Sequence, residues 1–449
     1  MFLYSYLYPY ILLKIITIAI GTIFFSVFAL TFLFYENTMN FTIYAQSDLQ
    51  ITKHRNMVID LGNGLETNAR LNLPAIGNGP YPGVLLVPGS GTTDMNETAG
   101  YVRIDNETGS LIYPSARPFF DISEYLSERG FAVLQYDKRG FGANMTILDN
   151  NVWGNITVTD LINDAQKALN TLIQQPEVDS SKISLIGHSE GTTIVPRIAI
   201  NNPNKVDNIV LMGTLAQNLK EVGNHQIMQP VLYAQKVLDH NHTGLISVQE
   251  ASKDPVFRSL GRDLIHVLMQ NVTLINGTDK GLNSQYDINN DTFISINDEL
   301  KPRLLDQAKS LAVVTPDEKC NGLKGPCPIW INSQYSLTPN LDIIEKVPSN
   351  ISVLILQGEN DSDTPIQQAF LLQQKLTELR HPDHILITYP DLGHLFYSSS
   401  QWVTALGGPI SQYVLADLYS WLESHSGFTS LYTSMHSSNY SSSGNFINK

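Results

Sequence analysis

Three residues of this chain have the types and the order that hydrolysis by a nucleophile requires. Ser189 stands between two glycines in "GHSEG", residues 187–191, after the apolar run "KISLI" and before "TTIVPRIAI". Asp361 lies in "GEND" and His394 in "DLGH", each just past an apolar run late in the chain. A serine hydroxyl is a weak nucleophile until a base takes its proton, and a carboxylate orients that base. Serine, then acid, then histidine is the order in which a serine on a strand-to-helix turn finds its partners. Asp363, two residues on, competes with Asp361 for the carboxylate role, leaving the other to cap the helix that begins near Pro365. Asp361 is preferred. The reaction also needs two backbone N–H groups aimed at the oxygen that becomes negative. One is expected from Glu190, directly after the serine. The other is expected from "PGSGT", where Ser90 is the first choice and Gly91 the next.

These residues must be held by a frame, and the pattern of the chain supplies one. "MVID" and "ARLNLP" flank the turn-forming "GNG" and read as a hairpin. "YPGVLLVPGSG", "FAVLQYDKRGFG", "KISLIGHSEG", "NIVLMGT", "SVLILQGENDSDTP" and "HILITYPDLGHLF" each read as a strand with the loop that follows it. Between them lie stretches with apolar residues at helical spacing, such as "FFDISEYLSERG" and "VTDLINDAQKALNTLIQQ". Alternation of this kind predicts a mostly parallel sheet with helices on both faces. On that sheet Ser189, Asp361 and His394 all fall at carboxyl ends of strands, where open α/β sheets gather their reacting groups. The glycines at 187 and 191 then permit the close packing of the turn that exposes Ser189.

In combination, "VPGSG", "YDKRGFG" and "GHSEG" resemble the α/β-hydrolase superfamily, in particular a branch of serine esterases and related peptidases. The resemblance covers about residues 55–215 and 350–425. It implies an α/β-hydrolase fold with an inserted helical cap, a triad of Ser189, Asp361 and His394, and oxyanion donors at Ser90 and Glu190. Two positions depart from the pattern: Pro88 where many relatives have histidine, and Thr192 where the branch often has a third glycine. Neither removes a catalytic atom. Asp137 of "YDKRG" matches a common position of the superfamily and reads as structural. The organisation expected is an N-terminal segment 1–47, a catalytic domain of 48–215 with 349–426, a cap of 216–348 and a polar tail of 427–449.

The insertion carries a signal of its own. "DHNHTGLISVQE", residues 239–250, has the spacing of a calcium-binding EF-hand loop. Oxygen ligands are expected from Asp239, Asn241 and Thr243, a carbonyl from Leu245, and a closing carboxylate from Glu250, with Gly244 at the sharp turn. "DINNDTFISIND", residues 287–298, repeats the spacing with Asp287, Asn289, Asp291, the carbonyl of Phe293 and Asp298. It departs at Thr292, which replaces the glycine, and at Asp298, which is shorter than the usual glutamate and has Glu299 beside it. The expectation is a pair joined through short strands around Ile246 and Ile294, binding calcium as a static clip, since Pro255 ends the first exit helix early.

The formal net charge of −14 excludes nucleic acid as a partner, because no basic surface is available to meet phosphates. Ile15 to Tyr35 carries no charge and has the length of a membrane span. With Lys14 before it and Glu36 after it, the N-terminus is expected inside and the catalytic part outside the cytoplasm. If a signal peptidase cuts after Ala45 the protein is secreted instead. Cys320 and Cys327 are the two cysteines, and an oxidising compartment would let them close a small loop. The functions that fit are an ester-cleaving serine hydrolase, a serine peptidase acting on short peptides, and a non-catalytic calcium-dependent binding protein on the same scaffold.

Overall fold

The structure is a computed structural model, and it describes residues 52–91, 93–100, 103–104, 111–112, 115–143, 146–254, 286–311, 328–397 and 409–427. The apolar run Ile15–Tyr35, the two cysteines and most of the tail lie outside the described residues. Among the described residues, no helix is long and apolar enough to cross a membrane.

The chain begins its sheet with a hairpin, β1 (Thr52–Gly62) and β2 (Leu65–Pro74). Asn63 and Gly64 turn it, both at positive φ, as a two-residue hairpin of matching twist requires. Then come β3 (Tyr81–Val87), helix α1 (Pro118–Glu128), β4 (Ala132–Tyr136), α2 (Val158–Ile173), β5 (Val178–His188), α3 (Gly191–Asn201) and β6 (Asn208–Met212). The order across the sheet is β1, β2, β4, β3, β5, β6, then two later strands, β9 (Ser352–Gly358) and β10 (His384–Tyr389). The hairpin and the β2–β4 pair are antiparallel, and every other pair is parallel. This is the mostly parallel, helix-covered sheet that the sequence predicts.

Side chains alternate across the sheet, so each central strand feeds two cores. Leu85 and Val87 of β3 pack with Ala165, Leu169, Val195 and Ile198 of α2 and α3 on one face. Val84 and Leu86 pack with Phe119, Ile122 and Leu126 of α1 and with Val414 and Leu418 of the last helix on the other. That is why β3, β4 and β6 are apolar without alternation: every residue in them is buried. The covering helices end where their sequences say. Thr157 and Asp160 form a reciprocal capping box at the start of α2. Gly130, at φ 107°, stops α1.

Between β6 and β9 the chain leaves the sheet. Helix α4 (Leu219–Tyr233) runs on through a wider turn at Ala234–Leu238 into the loop that begins at Asp239. β7 (Leu245–Ser247) and the short α5 (Val248–Lys253) follow, and β8 (Phe293–Ser295) leads through a widened turn, Ile296–Leu300, into α6 (Lys301–Leu311). β7 and β8 pair antiparallel with Ile246 opposite Ile294. Both isoleucines sit in a separate core with Tyr233, Leu238, Tyr286 and Leu300. Helix α7 (Pro328–Tyr335) returns the chain to the sheet, and α8 (Ile366–Glu378) and α9 (Gln412–His425) complete the layers.

Candidate active site

Ser189 caps the end of β5 with φ 51°, a left-handed backbone that a side chain normally avoids. Its N–H donates to the Met212 carbonyl, and its carbonyl accepts from the Thr192 N–H and hydroxyl. The two flanking glycines are required by contact as well as by turning. A Cβ on Gly187 would stand 2.4 Å from the Gly191 carbonyl oxygen, and one on Gly191 would stand 2.2 Å from that of Val87. Thr192, the departure from a third glycine, is fully buried, and its hydroxyl also accepts from the Leu215 N–H. It ties the serine turn to the end of β6.

Asp361 follows β9 and His394 follows β10, as expected from their positions after apolar runs. The structure brings them together: His394 Nδ1 lies 2.9 Å and 3.0 Å from the two Asp361 carboxylate oxygens. Asp361 also accepts from Gln357 Nε2 at 2.9 Å, from the Thr364 hydroxyl at 2.7 Å, and from the N–H groups of Asp363 and Thr364. Burial alone would raise this carboxyl, but His394 and the hydrogen bonds hold it below its ordinary value. Burial would lower the His394 imidazole, yet Asp361 first and Asp363 next push it up to about 9. No hydrogen bond joins Ser189 to His394, a common looseness in sites without substrate. Asp363, the rejected competitor, is half-exposed and lies 3.9 Å from His394 Nε2, the nitrogen opposite Asp361.

Ser90 is exposed at the tip of the loop after β3. Neither its N–H nor that of Glu190 is taken up by another group among the described residues. Both therefore remain available as donors. Gly89 lets the loop approach the serine, since a Cβ there would meet Ser189 Cβ at 3.1 Å and Glu97 Oε1 at 2.7 Å. Asp137 accepts from the Met95 N–H at 2.7 Å and is raised to about 6 by burial, a structural role.

Several residues of the site carry no signal in sequence. Glu97 is buried, accepts from the Gly89 N–H at 2.6 Å and pairs with His188 Nδ1 at 2.8 Å. His188 Nε2 in turn lies 2.9 Å from the carbonyl of His394. This dyad fastens the Gly89 loop to the histidine loop. Gly213, at φ 59°, leaves room for the pair beneath it: a Cβ would stand 3.1 Å from His394 Cε1. From the insertion, Gln226 of α4 donates to the Asp363 carbonyl at 2.8 Å.

The two loops of the insertion share a backbone. His242 and Asn290, fourth in each, and Gly244 and Thr292, sixth in each, all have positive φ. Thr292 thus adopts the turn without the glycine. Asp239 accepts from the Thr243 and Gly244 N–H groups, and Asp287 from those of Asp291 and Thr292, in register. Ser247 and Ser295 cap the exits. The closing residues differ from expectation. Asp298 faces the Ser295 hydroxyl, whereas Glu299 is buried and accepts from the N–H groups of Ile288, Asn289 and Ser295. Asp298 and Glu299 both lie in the first turn of the widened helix Ile296–Leu300. Glu250 turns toward His240, 3.7 Å away. Among the described residues, no three His, Cys, Asp or Glu side chains converge as a metal-holding group. The donor types, all oxygen, suit a hard cation, but the carboxylates do not meet as they stand.

Two stretches of the chain match families of known proteins. Residues 115–263 match the family model "Serine aminopeptidase, S33", and residues 319–429 match the "Prolyl oligopeptidase family". The fold is that of the α/β-hydrolases. Among curated proteins, the chain is 34% identical over 165 residues to esterase EstD of Thermotoga maritima, covering 37% of this chain and 34% of that protein. It is 22% identical over 179 residues to esterase FrsA of Yersinia enterocolitica, 40% of this chain and 36% of that one. The matched stretch therefore spans about a third of either relative's length. Among solved structures, Est1E from Butyrivibrio proteoclasticus, bound to ferulic acid, matches at 13% identity and TM-score 0.46, over 83% of this chain and 100% of that one.

Proposed function

We propose that the protein is a serine hydrolase that cleaves carboxylic esters through an acyl-enzyme on Ser189. The observation that carries this reading is the Asp361–His394 pair, 2.9 Å apart at the ends of neighbouring strands, beside a serine held at positive φ. His394 Nε2 takes the proton of Ser189 as its oxygen attacks the ester carbonyl. Asp361 fixes the imidazole through Nδ1 and stabilises its charge. The N–H groups of Ser90 and Glu190 receive the oxyanion. The alcohol leaves with the proton from His394, and water, activated by the same histidine, releases the acid. The similarity to two esterases over part of their length supports the ester class. The test is a panel of p-nitrophenyl esters against wild type and Ser189→Ala. Turnover that persists in the variant would overturn the reading.

A peptidase reading is favoured by one observation. Asp363 places a half-exposed carboxylate 3.9 Å from His394 Nε2, suited to the free amine of a short peptide. Aminoacyl-anilides in the same panel decide it: their turnover, abolished by Asp363→Asn while esters are still cleaved, would establish the peptidase.

We further propose that the paired loops of the insertion bind calcium. The first would use Asp239, Asn241, Thr243, the Leu245 carbonyl and Glu250. The shared backbone of the two loops and their pairing at Ile246 and Ile294 support this. Calorimetric titration of the calcium-free protein, with Asp239→Asn as control, tests it, and absence of heat would overturn it. The uncharged run Ile15–Tyr35 supports a membrane anchor with the catalytic domain outside the cytoplasm. Protease digestion of intact cells tests that placement.

A further inference from the structure

Behind the oxyanion loop lies an ion pair that the steps above leave unused. Lys138, in the loop after β4, and Glu190, next to the nucleophile, have side chains only 2% and 4% exposed and stand 3.8 Å apart. The Lys138 ammonium donates to the carbonyls of Gly89 and Gly91, the residues on either side of Ser90. Glu190 Oε1 accepts from Trp330 Nε1 at 2.7 Å and from Gln334 Nε2. Trp330 and Gln334 are one turn apart on α7, the helix by which the insertion returns to the sheet. Trp153, Ile156, Leu161 and Trp330 wall the small cavity beside the pair. In such surroundings a charge is costly unless its partners are fixed.

The geometry of the peptide bond gives this arrangement a consequence for catalysis. In a planar trans peptide, the C=O of one residue and the N–H of the next point in opposite directions. Lys138 holds the Gly89 carbonyl, and so fixes the Ser90 N–H on the opposite side of that peptide. Glu190 anchors its side chain inward, and its own N–H is the second donor. The buried pair thus holds the peptide that carries one donor and the residue that carries the other, and α7 bonds to that pair through Trp330 and Gln334.

We propose that Lys138 and Glu190 are positioning residues that preset the oxyanion hole, and that the docking of α7 through Trp330 and Gln334 holds them in place. This rests on the serine-hydrolase reading. It assigns the insertion a part in the chemical step itself, beyond covering the substrate.

The test compares the full chain with Trp330→Phe, which keeps a ring but removes the indole N–H, and with Glu190→Gln, which keeps the backbone donor. Ester kcat and KM, the rate of covalent capture by a fluorophosphonate, the pH profile and the melting temperature are read for each. Expected is a kcat lower by about 100-fold in Glu190→Gln, the low end of losing an oxyanion donor, and by a smaller factor of about 10 in Trp330→Phe, where the donor stays but its support is weakened. KM should stay within about two-fold, the fluorophosphonate rate should fall in parallel with kcat, and the pH limb set by His394 should not move. Folded variants with wild-type kcat overturn the proposal. So does a kcat loss that follows only the loss of melting temperature, or one matched by a moved pH limb. A wild type that cleaves no ester and takes no fluorophosphonate refutes the serine-hydrolase reading and this inference with it. That result is distinct from an active wild type with unimpaired variants.

Discussion

Replacing Asp363 by asparagine should make the enzyme faster at neutral pH. His394 must be neutral to take the serine proton, and the carboxylates around it raise its pKa to about 9. At pH 7 that leaves roughly 1% of the molecules with a competent base. Asp361 is indispensable to the histidine's orientation, but Asp363 touches neither Nδ1 nor the serine. It lies 3.9 Å from Nε2 with its side chain 49% exposed. For a pair at that distance, half in water, Coulomb's law at the dielectric of water gives about 1 kcal/mol, or roughly 0.8 pKa unit. Lowering the pKa from about 9 by that amount raises the competent fraction at pH 7 to roughly 6%. The assay is log kcat/KM for one p-nitrophenyl ester from pH 6 to pH 10. Wild type should climb with unit slope and level near pH 9, and Asp363→Asn should level nearly one unit earlier, with about six-fold higher kcat/KM at pH 7. High salt should shrink the difference, since the charge is exposed to screening. A limb that stays in place, or moves upward, would show that Asp363 does not act on the base and refute the reasoning.

Other outcomes follow from the same geometry. Asp361→Asn should reduce kcat by about 10⁴-fold with little change in KM, the usual consequence of losing the carboxylate that sets the histidine tautomer. Because the His394 pKa is raised from 6.5 to about 9 on folding, its charged form contributes stability below about pH 6.5 that is lost as pH rises toward 9. Melting temperature should fall over that interval in wild type and less in His394→Gln. Gly191→Ala should cost about 1–3 kcal/mol or more, since its Cβ would stand 2.2 Å from the Val87 carbonyl oxygen; chemical denaturation reads it. Arg139→Met should cost about 3–5 kcal/mol in the same assay, because buried Asp164 loses the guanidinium that pairs with it at 2.6 Å and 2.7 Å.

What could be read in the sequence was what repeats or is local. Apolar runs at strand length named the sheet, because strands buried on both faces cannot alternate. The serine turn was legible because two glycines with fixed spacing serve one steric purpose. Glu97 and His188 were not legible, although His188 adjoins the serine, because the contact that matters joins positions 91 apart. Gly213 looked like any residue at a strand end, and its need for glycine appears only when His394 packs against it. In the insertion the spacing of both loops could be read, but not which acid enters the second. That shows only in the N–H groups of Ile288, Asn289 and Ser295 that Glu299 accepts from, contacts that residue counting does not supply. Trp330 and Gln334 gave no sign of touching the nucleophile turn, since helical spacing says which residues share a face and not what the face meets.

Helix α4 has one obligation at its middle and another past its far end. At its middle Gln226 reaches the backbone of Asp363 beside the histidine, and its far end runs through the wider turn into Asp239, the first residue of the first loop. Thirteen residues separate the two positions, a rod of roughly 20 Å at helical rise. A residue added or removed between them turns one end about 100° relative to the other. Both ends cannot then face their partners. The length of this rod is therefore a clocking constraint: substitutions along it can drift, but deletions and insertions can survive only if they come as whole turns. A one-residue deletion should uncouple the two ends, whereas exchange of its exposed side chains should leave both in phase.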